Sequence, residues 1–308
     1  MKRRHLLGGL AALLPAELLL ARQPERGKLV IVGGAEKRRK DRLILRSFLE
    51  HAGGVSARVR LLVAATSRPA DAAESYLRAF ADLGVKDCEA LPVTDRASAF
   101  LPAVSQSILE ANAVFITGGD QARLMTALWE TPALAALHQA HHLQGCCIGG
   151  TSAGAAAMSR HMIADGAAVH RARKGVVETD IGLGLLTTAI VDQHFSERRR
   201  LARLMSALAR RPDLLGVGVD ENTALVIEGE KGIEVVGTGV VTLVDPTYAR
   251  TNIAGLQDQG LLELLGLQLH TLPAGHHYQV TGEAAGAEWP AELLKAVQRL
   301  VQPGPVRL

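Results

Sequence analysis

The chain has 308 residues, 48% apolar and 21% charged. At ~150 residues per domain it holds one or two domains with a large core, which excludes a largely disordered chain. The net charge of +3 hides an asymmetry, because residues 1–46 carry 12 Lys/Arg against 4 Asp/Glu and the remaining body 22 against 27. Aromatic residues make up only 3%, which with the acidic body weighs against a nucleic-acid-binding protein.

Residues 1–26 form a basic head followed by an apolar stretch that Pro15 and Glu17 interrupt. They are too short and broken for a membrane span. Export through a signal (Arg3-Arg4 has the twin-arginine form) and a short amphipathic or frayed extension on a cytoplasmic protein both remain open. Residues 27–308 read as one α/β catalytic domain.

From Lys28 the pattern alternates. The run Lys28–Val32 reads as a buried strand closed by Gly33-Gly34, and Asp41–Ala52 as a helix stopped by Gly53-Gly54. A strand over Val59–Ala65, a helix over Asp71–Leu83, a strand over Glu89–Val93 and a helix over Ala97–Leu109 with a kink at Pro102 follow. Next come a strand over Ala113–Thr117, helices over Ala122–Trp129 and Pro132–Leu143, a strand over Cys146–Gly149 and a helix over Ala153–Ser159. Continuously apolar strands alternating with helices predict a parallel sheet covered on both faces. Beyond it lie a strand over Thr187–Val191, a helix over Ser196–Arg210, and four close-spaced strands at Leu215–Val219, Thr223–Ile227, Gly232–Val236 and Val240–Val244. Those four read as hairpins forming an antiparallel edge. The tail from Leu261 is less legible, and His276-His277 reads as a turn.

The sharpest local feature is Gly150-Thr151-Ser152-Ala153-Gly154, a G-x-S-x-G between a strand and a helix. That is the context of a nucleophile elbow, in which small neighbours let the strained backbone pass and the helix start favours a developing oxyanion. A plain glycine-rich turn has the same letters. A serine nucleophile needs a base, and His194 in Asp192-Gln193-His194-Phe195 ends an apolar strand, where open α/β sheets gather their site residues. Glu221, Asp220 and Asp192 compete to orient it. Backbone N–H groups of the second glycine turn, Gly118-Gly119-Asp120-Gln121, and of Ala153 are candidates for an oxyanion hole, with Gln121 beside them. Arg198, Arg199, Arg200 and Arg203 follow His194 directly; a solvated helix face is the default for a charge run, but the place beside the candidate base instead suggests docking of a carboxylate-rich ligand by guanidinium forks.

Other signals are weaker. No G-x-G-x-x-G, P-loop or CxxC occurs, so dinucleotide binding and that kind of zinc site are disfavoured. His138, His141 and His142 read as a surface helix rather than a metal site. Cys88, Cys146 and Cys147 read as buried thiols. Lys37–Lys40 reads as a solvated loop, with a place facing the same cleft as the alternative because it follows Gly34 at a strand end.

Taken in order, Gly33–Glu36, Thr117–Gln121 (TGGDQ), Gly149–Ala155 (GGTSAGA), Gly182–Leu186 (GLGLL), Asp192–Phe195 (DQHF), the arginines at 198, 200 and 203, and Gly218–Glu221 (GVDE) resemble the cyanophycinases. These are serine peptidases related to aspartyl dipeptidases. Asn252–Ala254 and Leu269–Gly275 are similar too, so the match spans about residues 28–280. GxSxG alone is unspecific; GTSAG with DQHF and the spaced arginines is specific.

The resemblance implies a flavodoxin-like three-layer sandwich, mostly parallel with antiparallel edge strands and similar to class I glutamine amidotransferases, with Ser on the elbow. It implies Ser152 as nucleophile, His194 as base and Glu221 as the orienting acid, with Gly119 and Ala153 at the oxyanion. Gln121, Asp192, Gln193, Arg198, Arg200 and Arg203 match substrate-binding positions. It implies a homodimer without metal or other cofactor, acting on cyanophycin, a poly-aspartate with arginine on each β-carboxyl, to release β-Asp-Arg. The chain order Ser…His…Glu differs from that of α/β-hydrolases. Arg199 and Ala202 stand where glycines are expected, Cys146-Cys147 replaces aliphatic residues, and the loop His170–Glu178 is unusual. An Asp-specific or isoaspartyl dipeptidase, or an inactive amidotransferase-like binding module, are the alternatives.

Overall fold

The computed structural model describes residues 26–281 and 289–302. The signal-like head therefore lies almost wholly outside the described residues. Among the described residues, no helix is long and apolar enough to cross a membrane.

The first half builds the predicted βα alternation. Strands β1 (Leu29–Val32), β2 (Arg58–Leu62), β3 (Asp87–Ala90), β4 (Ala113–Ile116) and β5 (Cys147–Thr151) lie parallel in the order β1-β5-β4-β2-β3. Helices α1 (Leu43–His51), α2 (Pro69–Ala81), α3 (Pro102–Leu109), α4 (Gln121–Leu128) and α5 (Pro132–Leu143) connect them. Pro102 does not kink a helix: it starts α3, after a separate 3₁₀ turn at Ser98–Phe100, because proline costs nothing where the first N–H is unsatisfied anyway. One face of the sheet packs on α1 and α2 around Phe48, Phe80, Phe115 and Tyr76, with Phe48 and Phe115 edge to face at 5.2 Å. These four are a large share of the chain's few aromatics. The other face packs on α3, α4 and α5.

The helix after β5, α6 (Ala153–Ala157), is shorter than expected. Its last carbonyls are capped from outside: Leu183 N–H donates to Ala157 O at 2.6 Å and Leu186 N–H to Met158 O at 2.9 Å. The GLGLL segment thus ends this helix. A hairpin that the sequence did not signal follows, β6 (His161–Asp165) with β7 (Glu178–Ile181). Every residue of β7 is exposed, so no alternation betrays it.

The second half departs from a simple antiparallel edge. It contains β8 (Ala189–Gln193), α7 (Leu201–Arg210), β9 (Leu215–Val219), β10 (Thr223–Glu228), β11 (Gly232–Gly237) and β12 (Val240–Asp245). The small pair β13 (Arg250–Thr251) and β14 (Leu264–Leu265), then β15 (Gln268–Pro273), β16 (His276–Gln279) and α8 (Ala291–Val301) complete it. Strands β10, β11 and β16 extend the main sheet antiparallel from β1 to eight strands. Strands β8, β9, β12 and β15 form a second sheet, in which β8 and β9 run parallel. So β9 and β10 are not a hairpin. Asp220 draws the chain aside between them, its carboxylate accepting from Ser196 N–H and Val240 N–H, both at 3.1 Å. His276-His277 is strand, not turn.

Helix α7 begins at Leu201, five residues later than predicted. Arg199 sits at φ 52° and cannot belong to a right-handed helix. Leu204, Ala207 and Leu208 of α7 bury against the outer face of the second sheet, while its inner face closes on α6 and the main core. The fold is a flavodoxin-like α/β sandwich with this second sheet packed against α6, the helix that follows β5.

The three α5 histidines correct the surface-helix expectation, since all are buried. His141 is held neutral by its partners: Nδ1–H donates to Cys146 O at 3.3 Å and Nε2 accepts from Arg26 Nε at 3.2 Å. Burial, and then Arg26, push His141 well below the usual histidine range. His142, stacked on His138 at 5.5 Å, is lowered to about 4, chiefly by burial. The unfolded chain binds protons near pH 6.5 that the folded chain refuses. The histidine contribution to stability is therefore expected to be flat above pH 7 and to fall as pH drops from 6.5 towards 4. Urea midpoints at pH 7.5 and pH 5 measure this, and identical midpoints would refute it. Among the described residues, no group of three His, Cys, Asp or Glu is arranged to hold a metal. Cys146 and Cys147 are buried with their thiols pushed up, Cys146 to about 12, as expected of inert cysteines.

Candidate active site

The two sheets meet at the C-terminal ends of their parallel strands, and the site lies there. Ser152 follows β5, whose Thr151 pairs with Val32 of β1. Its backbone is strained, at φ 53° and ψ −113°, the outlier that a nucleophile elbow requires. Gly150 makes this bend possible: a Cβ there would lie 2.7 Å from Gly154 O.

His194 follows β8 of the second sheet. It is buried, with φ 47°, and its N–H donates to Gly33 O at 2.7 Å. The imidazole crosses directly over Gly34, where a Cβ would lie 2.3 Å from the ring. The first glycine turn therefore clears the space for the histidine. Ser159, at the end of the elbow segment, ties the sheets together by accepting Val191 N–H at 2.9 Å.

Glu221 Oε1 lies 2.6 Å from His194 Nδ1, and Ser152 Oγ lies 2.9 Å from Nε2. A carboxylate only accepts, so Nδ1 carries the proton and Nε2 accepts from the Ser152 hydroxyl. Neither rival acid touches the ring. Asp220 is occupied by the two backbone N–H groups described above. Asp192, 1% exposed, accepts from Arg203 Nε at 3.0 Å, from Arg203 Nη2 and from Arg200 Nη1 at 3.3 Å.

The remaining sequence candidates fall into three groups. Gly118 packs against Ser152, with Gly119 next in the same turn. Ala153 opens α6, so its N–H has no acceptor inside that helix. Gln121 Nε2 donates to Ile163 O at 2.9 Å and Ala164 O at 2.7 Å, which fixes β6 against α4. Arg200 and Arg203 are buried and turned onto Asp192, while Arg198 is exposed. Arg200 also donates to Gln193 O at 2.6 Å, and burial lowers its guanidinium to about 10 against the opposing pull of Asp192. Among the described residues, Gln193 Oε1 and Arg200 Nε are buried without a hydrogen-bond partner.

Arg199 has a plain physical explanation. It is exposed and left-handed, a conformation that glycine adopts without steric cost. Arg199→Gly is expected to leave stability within about 1 kcal/mol of the parent or slightly above it, and to leave hydrolysis unchanged. A large loss of activity in this variant would show that the extra guanidinium contacts substrate. Nothing in the structure explains Ala202 in place of glycine.

The cleft in front of Ser152 has a volume of about 460 Å³ and extends from His194 to the first turns of α2. Its far wall includes Glu36, Arg38, Arg68 and Asp71, none of which the sequence marked as site residues. Glu36 carried a signal as part of the Gly33–Glu36 match and Arg38 as part of Lys37–Lys40 beside the first glycine turn, whereas Arg68 and Asp71 carried none.

The family model described as peptidase family S51 matches residues 29–235, which takes in the elbow, His194 and Glu221. A cyanophycinase of Geminocystis herdmanii is 38% identical over 254 residues, covering 82% of this chain and 93% of that protein. A cyanophycinase of a Nostoc species is 38% identical over 274 residues, covering 87% and 92%. Among solved structures, a peptidase from an acI-B1 Actinobacterium superposes with a TM-score of 0.61 at 22% identity, covering 83% of this chain and 98% of that one; at that identity it speaks for the fold alone. Motif order, fold and these relatives lead to one assignment: the chain belongs to peptidase family S51.

Proposed function

We propose that this peptidase hydrolyses cyanophycin to β-Asp-Arg dipeptides with Ser152, His194 and Glu221 as its catalytic triad. The observation that carries the reading is the continuous relay from Glu221 Oε1 through the imidazole to Ser152 Oγ, with both links at hydrogen-bond length. His194 takes the Ser152 proton as Oγ attacks the backbone carbonyl. The N–H groups of Gly119 and Ala153 receive the oxyanion. His194 then protonates the leaving amine, and water, activated by the same imidazole, releases the acyl group.

The substrate offers repeated carboxylates and guanidiniums. In this proposal Arg198, Gln193 Oε1 and the free Nε of Arg200 meet its polar groups, with Gln121 contributing its carbonyl oxygen. Asp192 and Arg203 hold that set in place. The homodimer expected of the family belongs to the same proposal.

Incubation with purified cyanophycin followed by mass spectrometry tests the reading. Release of β-Asp-Arg is expected. An intact polymer alongside cleavage of Asp-X or isoaspartyl dipeptides would replace it with the short-peptide alternative. No turnover of either, with no labelling by a fluorophosphonate, would favour the inactive binding module.

A further inference from the structure

Glu36 is a buried carboxylate in the wall of the cleft, 5% exposed. Two neutral donors hold it: the Tyr76 hydroxyl donates to Oε1 and the Thr151 hydroxyl to Oε2. Among the described residues it makes no ion pair. The nearby cation is directed elsewhere, since the Arg38 guanidinium lies over the Tyr76 ring at 4.9 Å and donates to Ser75 Oγ at 3.3 Å. Hydroxyls fix a carboxylate in position but do not neutralise it, and a buried charge is costly without a counter-charge. Glu36 faces a polar cleft, and the residue that tethers its Oε2 is the immediate neighbour of Ser152. The cleft therefore gives a substrate cation direct access to Glu36. Each carboxylate oxygen keeps a second lone pair, so a planar guanidinium can bind both at once.

We propose that Glu36 is a specificity-determining residue that receives the guanidinium of the substrate unit beside the scissile bond. This rests on the cyanophycin reading and adds to it a specific carboxylate and a specific side-chain preference. Tyr76 and Thr151 act as positioning residues that hold Glu36 at the correct reach.

The test compares short (β-Asp-Arg) oligomers with oligomers in which citrulline, neutral and nearly isosteric, replaces arginine. The parent is expected to prefer arginine, because citrulline leaves the Glu36 charge unpaired. In Glu36→Gln, kcat/KM on the arginine oligomer is expected to fall about 100-fold, mainly through KM, while the citrulline oligomer changes less than about 3-fold and the arginine preference disappears. Glu36→Asp, which keeps the charge but withdraws it, should show an intermediate preference, and it decides the matter if Glu36→Gln fails to fold. An unchanged arginine preference in these variants, or an equal loss on both substrates, would overturn the role of Glu36 and leave the cyanophycin reading standing. Parent protein that cleaves neither oligomer would overturn both.

Discussion

Ser152→Ala is expected to lower peptide hydrolysis by about 10⁴-fold or more without unfolding the protein. Alanine keeps the Cβ, so the backbone at φ 53° is no worse off, and the only group removed is the one facing His194 Nε2. His194→Ala should cost a similar factor, and the double variant little more than either single one, because members of a relay are not additive. Glu221→Gln tests a separate point. The Gln amide can donate to Nδ1, which moves the imidazole proton to Nε2 and leaves nothing to accept the Ser152 proton. A loss of about 10⁴-fold in kcat, with KM nearly unchanged, is expected from that tautomer switch. Single-turnover assays with circular dichroism as a folding control measure all four variants. Turnover by Ser152→Ala at the parent rate would eliminate the proposed nucleophile.

The residues of the candidate site were more legible in the sequence than the architecture around them. Ser152 could be read because an elbow demands small residues at fixed offsets, and that demand leaves letters behind. His194 could be read because it ends an apolar strand. The choice among Glu221, Asp220 and Asp192 could not be read from the residues alone, since three carboxylates lie near strand ends and only the fold decides which one faces Nδ1. The second sheet was illegible for a related reason: β9 is buried throughout and β10 at every residue but its last, and such strands carry no period that names a partner. The α5 histidines misled because imidazoles count as polar in a pattern, whereas His141 is satisfied inside the core by Arg26 and a carbonyl. The burial of two of the arginines was equally hidden. A charge run suits solvent by default, yet two of its members close on a carboxylate that sits eleven residues or fewer away along the chain.

That closed ion cluster supports a second large effect, on stability rather than chemistry. Asp192→Asn would leave Arg200 and Arg203 buried with their shared carboxylate gone. Removing one partner of a buried ion pair costs about 3–5 kcal/mol, because the charges left behind stay desolvated. At roughly 2–4 °C per kcal/mol for a chain of this size class, the melting temperature should fall by roughly 10 °C. The damage should also reach the active site through the backbone. Asp192 Oδ1 accepts Gln193 N–H at 3.0 Å and Arg200 holds Gln193 O, so the cluster fixes the peptide just before His194. A fall in kcat together with the fall in melting temperature is therefore expected, with KM changing less. The opposite pattern, an unchanged melting temperature with a raised KM, would mean that Asp192 exchanges its arginines for a substrate guanidinium. The structural role is the one the geometry favours, because Asp192 faces Arg200 and Arg203 from both oxygens.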